Sequence, residues 1–61
     1  MKKVRLGTLG VGDEFRYTKT GAVFTVDMVS RFGFHVAGIA ACAATGAKHE
    51  LSGTAKQVVW S

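Results

Sequence analysis

Two phenylalanines separated by one glycine have the clearest binding chemistry in this sequence. Phe32 and Phe34 lie in the string RFGFHV, which spans residues 31–36. Alternate residues of a strand project to the same side, so the two rings would form one platform on which unpaired bases stack, each worth roughly 1–3 kcal/mol. Arg31 would then supply a phosphate contact. The opposite interpretation, that one or both phenylalanines are core residues, stays open because so short a chain has few large apolar side chains.

Positive charge is the second feature that bears on partners. The chain has eight Lys or Arg residues against four Asp or Glu residues, a formal net charge of +4. Lys2, Lys3 and Arg5 form the one cluster, and the other basic residues are scattered along the sequence. The cluster is either a phosphate-seeking arm or a solvated, frayed terminus. Nucleic acid, an acidic protein surface and simple solubility are all compatible with this charge.

The remaining reactive residue types form no convincing catalytic or metal-binding set. Cys42 with His35 or His49 would offer a nucleophile and a base, but the flanking alanines indicate that Cys42 is a small buried side chain. One cysteine and two histidines lack the spacing of a zinc site. The adjacent Asp13 and Glu14 would point to opposite sides of a strand. We therefore predict no enzymatic activity, no cofactor, no metal and no small-molecule substrate.

The length of 61 residues predicts a single domain, residues 1–61, of marginal stability. One cysteine cannot form an internal disulfide, so self-association or docking on a larger partner is the expected additional source of stability. A free cysteine fits a reducing, cytoplasmic compartment, or a virion if the gene belongs to a phage. Neither a secretory signal nor a membrane span of about 20 apolar residues is predicted.

Closely spaced glycines and alternating apolar residues predict short strands joined by tight turns. The predicted strands are 4–9, 14–18, 22–31, 34–42, 47–51 and 55–60, with turns at 10–13, 18–21, 45–46 and 52–53 and a bend or bulge at Gly33. In the longest strand, Phe24, Val26 and Met28 would share one face and Val29 would lie on the other.

The alanine-rich segment 36–44 is ambiguous. Its five alanines favour a helix on propensity, whereas Gly38 and the lack of a polar face argue against one. We favour a strand in which the alanines sit where strands or subunits approach closely, and the helix remains the alternative. Five or six short strands without proline then predict an all-β fold, specifically a small five-stranded barrel of the SH3-like or OB-like kind.

Two segments resemble known families. The sequence LGVGDEF at 9–15 followed by GAVFTV at 21–26 resembles the opening hairpin of small-barrel accessory proteins of bacteria and phages, in which L-x-V-G-D-x-F leads into a strand, a glycine turn and a V-F-x-V strand. The string at 31–36 resembles the K-G-F-G-F-[IV] motif of cold-shock domains, and that resemblance implies base stacking by Phe32 and Phe34.

Three hypotheses for function follow from these patterns. The first is a non-enzymatic protein-interaction or assembly subunit, such as a phage or bacterial accessory protein. It would self-associate or dock on a larger partner through exposed Trp60, Val29 and Val59. Trp60 is alternatively a core residue that closes the barrel. The second is a single-stranded nucleic-acid-binding barrel that uses Arg31, Phe32, Phe34, Lys2, Lys3 and Arg5. The third is a small inhibitor that docks on an acidic host protein.

Overall fold

The computed structural model describes all 61 residues, and its regular elements are six antiparallel strands and one short 3₁₀ turn. The strands are β1 (Lys3–Arg5), β2 (Glu14–Phe15), β3 (Phe24–Phe32), β4 (His35–Cys42), β5 (Lys48–Thr54) and β6 (Val58–Trp60), and the 3₁₀ turn is Leu6–Thr8. Strands β2 to β5 form one sheet in that order, and β1 pairs with β6 in a second. The prediction of an all-β fold is confirmed, and the larger sheet curls into a half-barrel.

Backbone hydrogen bonds join the ends of the two sheets. Arg16, directly after β2, exchanges a pair of bonds with Trp60 in β6, with N···O distances of 2.7 and 2.8 Å. After β1, the N–H of Gly7 donates to the carbonyl of Ala55, directly after β5, at 3.0 Å. Because these bonds span the gaps between the sheets, both sheets enclose one core.

Eight apolar residues, none more than 3% exposed, form that core: Leu6, Leu9, Phe15, Val26, Val36, Ala40, Leu51 and Val59. Leu6 and Leu9 face the same way because a 3₁₀ turn repeats every three residues. The strands contribute alternate residues, as the pleat requires. Val59 is fully buried, so its assignment as an exposed interaction residue is wrong.

A β-bulge at Asp27 changes which side of β3 faces the core. The register with β4 shifts between Val26 and Met28, and an extra residue in one strand restarts the alternation of its side chains. Val26 is buried, Met28 is 58% exposed and Val29 packs against the core. The prediction that Met28 shares a face with Phe24 and Val26 is therefore wrong, and Val29 is half-buried rather than an exposed interaction residue.

The alanine-rich segment is a strand as far as Cys42, and a turn follows at 43–45. The helix alternative is wrong, because β4 pairs on both sides with neighbouring strands. The predicted turn at 52–53 is also wrong, since β5 continues through Thr54 and the chain turns at 55–56. The predicted strand 4–9 is divided between β1 and the 3₁₀ turn.

Candidate functional site

The tip of the β3–β4 hairpin presents two aromatic rings to solvent. Gly33 and Phe34 form the two-residue turn, and Gly33 has a φ of +62°, which fits the type II′ turn with glycine in its first central position. Phe32 is 66% exposed and Phe34 is 72% exposed, so the interpretation of both as core residues is wrong. The rings do not lie on one strand, because Phe32 ends β3 and Phe34 lies in the turn.

Phe34 is held against the β5–β6 turn. Its carbonyl accepts a hydrogen bond from the N–H of Ala55 at 2.7 Å, and the Nζ atom of Lys56 lies 5.6 Å from the centroid of its ring. A lysine over an aromatic face is a favourable cation–π arrangement. One face of the Phe34 ring is therefore already occupied by a cation of the same chain.

Arg31 makes contacts within the fold rather than pointing freely into solvent. Its Nε donates to the carbonyl of Gly7 at 2.8 Å, and a terminal guanidinium nitrogen donates to the carbonyl of Leu9. After the bulge, Arg31 pairs with the buried Val36, so both side chains project to the same side of the sheet. From there the guanidinium of Arg31 reaches the segment that follows β1. The guanidinium thus fastens this segment to the larger sheet, and these bonds occupy donors that a phosphate contact would need.

Replacing Arg31 should therefore reduce stability. We expect Arg31→Gln to lower the free energy of unfolding by about 1.5–3 kcal/mol, the magnitude for hydrogen bonds from a charged group, measured as a lower midpoint in urea. Arg5→Gln is the matched control, because the side chain of Arg5 is exposed and makes no hydrogen bond; its effect should stay within about 0.5 kcal/mol. Equal midpoints for the two variants would contradict this role.

The outer side of β4 carries a smooth apolar strip. Ala37, Ile39 and Ala41 alternate with the buried Val36 and Ala40 and so project away from the core. On β3, the bulge puts exposed Met28 directly opposite Ile39 in the pairing register. We call Met28, Ala37, Ile39 and Ala41 the sheet face. One ion pair crosses β4 next to this strip, because the Nζ atom of Lys48 on β5 contacts a carboxylate oxygen of Asp27 on β3 at 2.7 Å.

Trp60 lies among basic residues from three segments of the chain. Lys3 is its cross-strand partner in β1, and Arg16 is its partner in the bridge between the sheets, so all three side chains project to the same side. The Nζ atoms of Lys3 and Lys19 each lie 5.5 Å from the centroid of the Trp60 ring. Trp60 is half-buried, between the two roles considered for it. We call Trp60, Lys3, Arg16 and Lys19 the Trp60 surface.

A pocket of about 250 Å³ opens beside Trp60, and its walls include Glu14, Phe15, Arg16 and Val23. Its floor is apolar because Phe15 is a core residue, 1% exposed, whereas Glu14 and Arg16 bring opposite charges to its walls. Pockets that hold drug-sized ligands usually measure about 300–1,000 Å³, so this pocket is smaller than most of them.

Comparisons with protein-family models, curated proteins and solved structures found no match. None of the chain's helical segments has the length and apolar character needed to cross a lipid bilayer.

The Cys42 thiol and the His49 imidazole lie on the opposite side of the larger sheet from the sheet face. Hydrogen bonds from the side chain and backbone of Thr45 lower the pKa of the Cys42 thiol, at the end of β4. His49 stacks edge-on against Phe24, with ring centroids 5.5 Å apart. No group of three or more His, Cys, Asp or Glu residues is arranged to hold a metal ion.

The predicted nucleic-acid residues are divided between these regions. Phe32 and Phe34 are at the hairpin tip, Arg31 binds backbone carbonyls, and Lys3 belongs to the Trp60 surface. Arg16 and Lys19 were not among the predicted nucleic-acid residues. The alternation along residues 14–18 does predict that Arg16 projects away from the side of Phe15, but only the long-range bridge to β6 brings Trp60 next to Arg16.

Proposed function

We propose that the chain is a non-enzymatic interaction subunit that self-associates through the sheet face, on a partly closed barrel of the SH3-like or OB-like kind. The observation that carries the proposal is the outward apolar strip on β4, together with Met28, which is 58% exposed. Protein interfaces have a core depleted of charge, often contain methionine, and have a polar rim. The four side chains of the sheet face are uncharged and include a methionine, and the charges of Asp27 and Lys48 beside them are paired with each other.

A second copy of the chain is the occupant that we propose. An isologous interface requires a surface patch that is complementary to itself. The rim of the sheet face meets this requirement, because β5 carries both Lys48 and Glu50 on its outer side and Lys48 of one copy can pair with Glu50 of the other. A stable interface buries roughly 800 Å² per partner, about a fifth of the 3948 Å² of accessible surface of this chain.

Light scattering and sedimentation over a range of concentrations test this proposal. The wild-type chain is expected to form a dimer that dissociates on dilution. Met28→Lys should weaken the dimer at least tenfold, because a lysine at the centre of an apolar interface must lose its hydration. A tenfold change in the dissociation constant corresponds to about 1.4 kcal/mol. Because Met28 is exposed in the single chain, its replacement should leave folding intact.

Val11→Lys is the matched control. Val11 is also apolar and 70% exposed, but it lies in the turn before β2 and outside the sheet face. We expect this variant to dimerise like the wild type. A wild-type chain that stays monomeric up to about 1 mM, where binding is worth only about 4 kcal/mol, would refute self-association through this face.

A further inference from the structure

Folding gathers positive charge that is dispersed in the sequence. Five of the eight basic residues lie on or next to the Trp60 surface: Lys2, Lys3, Arg5, Arg16 and Lys19. Each of the other three has a partner, since Lys48 binds Asp27, Arg31 binds carbonyls and Lys56 lies over Phe34. The one ion pair of the structure is elsewhere, so the cations around Trp60 are available to an anionic ligand.

The aromatic ring at the centre of these cations adds a second kind of recognition. Trp60 is half-buried and therefore held in place, and the pocket of about 250 Å³ opens beside its ring. An indole ring that is fixed in this way offers a flat surface for stacking. Lysines close to such a ring can move to phosphate oxygens when a base approaches, because their flexible stems allow several positions.

We propose that the Trp60 surface binds single-stranded nucleic acid, with one base in the pocket against Trp60 and the flanking phosphates on Lys3, Lys19 and Arg16. Stacking on a fixed aromatic ring inside a basic groove is how proteins hold unpaired strands. The carboxylate of Glu14, on the pocket wall, accepts hydrogen bonds and would favour a base with an exocyclic amino group, as carboxylates do with cytosine. An acidic protein would pair its carboxylates with the cations, but it would not place a planar polar ring in the pocket.

This inference is independent of self-association, because it uses a different surface. Lys3, Arg16 and Trp60 lie on β1, after β2 and on β6, whereas the sheet face lies on β3 and β4. It also differs from the site expected at the hairpin tip, where Arg31 is held by carbonyls and the two phenylalanine rings do not lie on one strand. Met28→Lys should leave the binding of a short oligonucleotide unchanged, so the two proposals can fail separately.

Trp60 is the single tryptophan of the chain, and its fluorescence therefore reports directly on the proposed site. Titration with oligocytidylate and oligothymidylate should give saturable quenching, tighter for oligocytidylate. The salt slope is the slope of the logarithm of the binding constant against the logarithm of the salt concentration, and each neutralised phosphate of a single strand lowers it by about 0.7. Three phosphate contacts therefore predict a slope near −2 and a roughly twentyfold loss of affinity between about 50 and 200 mM salt.

Two variants with a matched control test which residues act. Lys19→Gln should weaken binding and reduce the salt slope by about 0.7, whereas Lys56→Gln, which changes an exposed lysine over Phe34, should change neither. Glu14→Gln should remove the preference for oligocytidylate. Trp60→Leu, followed by the anisotropy of a labelled oligonucleotide, should lose roughly 1–3 kcal/mol of binding, about five- to 150-fold.

Three outcomes would overturn the proposal. One is the absence of saturable quenching at low salt. Another is equal weakening by Lys19→Gln and Lys56→Gln, which would indicate diffuse attraction by net charge. The third is equal binding of polyglutamate and of an oligonucleotide with the same number of charges, which would assign this surface to an acidic protein partner instead.

Discussion

The Gly38→Ala variant is expected to be largely unfolded at room temperature. Gly38 lies on the inner side of β4 opposite Val29, where the two strands approach unusually closely. A Cβ atom at this position would lie 2.7 Å from the carbonyl carbon of Met28 and 2.9 Å from the Cα atom of Val29. These are backbone atoms, which cannot rotate away as a side chain can, so we expect a cost of at least about 3 kcal/mol.

That cost is large relative to the stability of so small a domain. At about 0.05–0.15 kcal/mol per residue, a chain of 61 residues has a free energy of unfolding of about 3–9 kcal/mol. Urea titration followed by circular dichroism measures the loss. Gly10→Ala is the control, because the nearest atom to its Cβ is 3.9 Å away, and its effect should stay within about 1 kcal/mol. A cooperative Gly38→Ala transition at the wild-type midpoint would show that the strands are farther apart than described.

The alternating strands were predictable from the sequence because their pattern is local. Residues 22–31 alternate apolar and polar side chains, and β3 occupies most of that range. The bulge at Asp27 was not predictable, since the register that creates it depends on how β3 fits β4 around Gly38. The turn at 52–53 was wrongly predicted because Gly53 serves another need there: a Cβ atom would lie 2.7 Å from the side chain of Leu6.

The candidate sites depend still more on long-range pairing. The string around Phe32 suggested aromatic binding, and both rings are exposed, but the turn at Gly33 separates them and the fold uses Arg31 for itself. No local pattern links Lys19 to Trp60, which lie 41 positions apart in the sequence and meet because β6 pairs with β1 and bonds to Arg16. Basic residues that look scattered in a sequence can therefore form one surface when a small sheet closes on itself.

The two surfaces divide the molecule chemically. The four residues of the sheet face are uncharged and the ion pair beside them is neutral, whereas the Trp60 surface holds most of the surplus cations. Self-association through the first would leave the second free in every copy, so a dimer would present two sites for one strand. When two sites are linked, the second site meets the bound strand at a high effective concentration. The wild-type chain should therefore bind a long oligonucleotide more tightly than the Met28→Lys variant does. A short oligonucleotide, which reaches only one site, should bind equally to both.

Phe15→Ala is expected to abolish folding and, with it, the Trp60 pocket. Phe15 is 1% exposed, and its ring packs against Tyr17 and Phe24 with centroid distances of 5.1 and 5.9 Å. Removing a buried phenylalanine side chain costs about 3–5 kcal/mol, because apolar contacts are lost and a cavity remains. That is comparable with the whole stability of a domain of this size, so we expect no cooperative thermal transition.

The same substitution at an exposed phenylalanine provides the control. Phe32→Ala removes an equal side chain that is 66% exposed, and its effect should stay within about 0.5 kcal/mol. Phe15→Leu keeps most of the buried volume and should cost about 1.5 kcal/mol, which lowers the Tm of a domain this small by roughly 6–12 °C. If Phe15→Ala and Phe32→Ala instead lost the same stability, the hairpin tip would be part of the core, and the separation of core from binding surfaces would be wrong. Phe15→Leu, still folded, then tests whether the pocket floor contributes to binding, since only that floor changes while Trp60 and its cations stay in place.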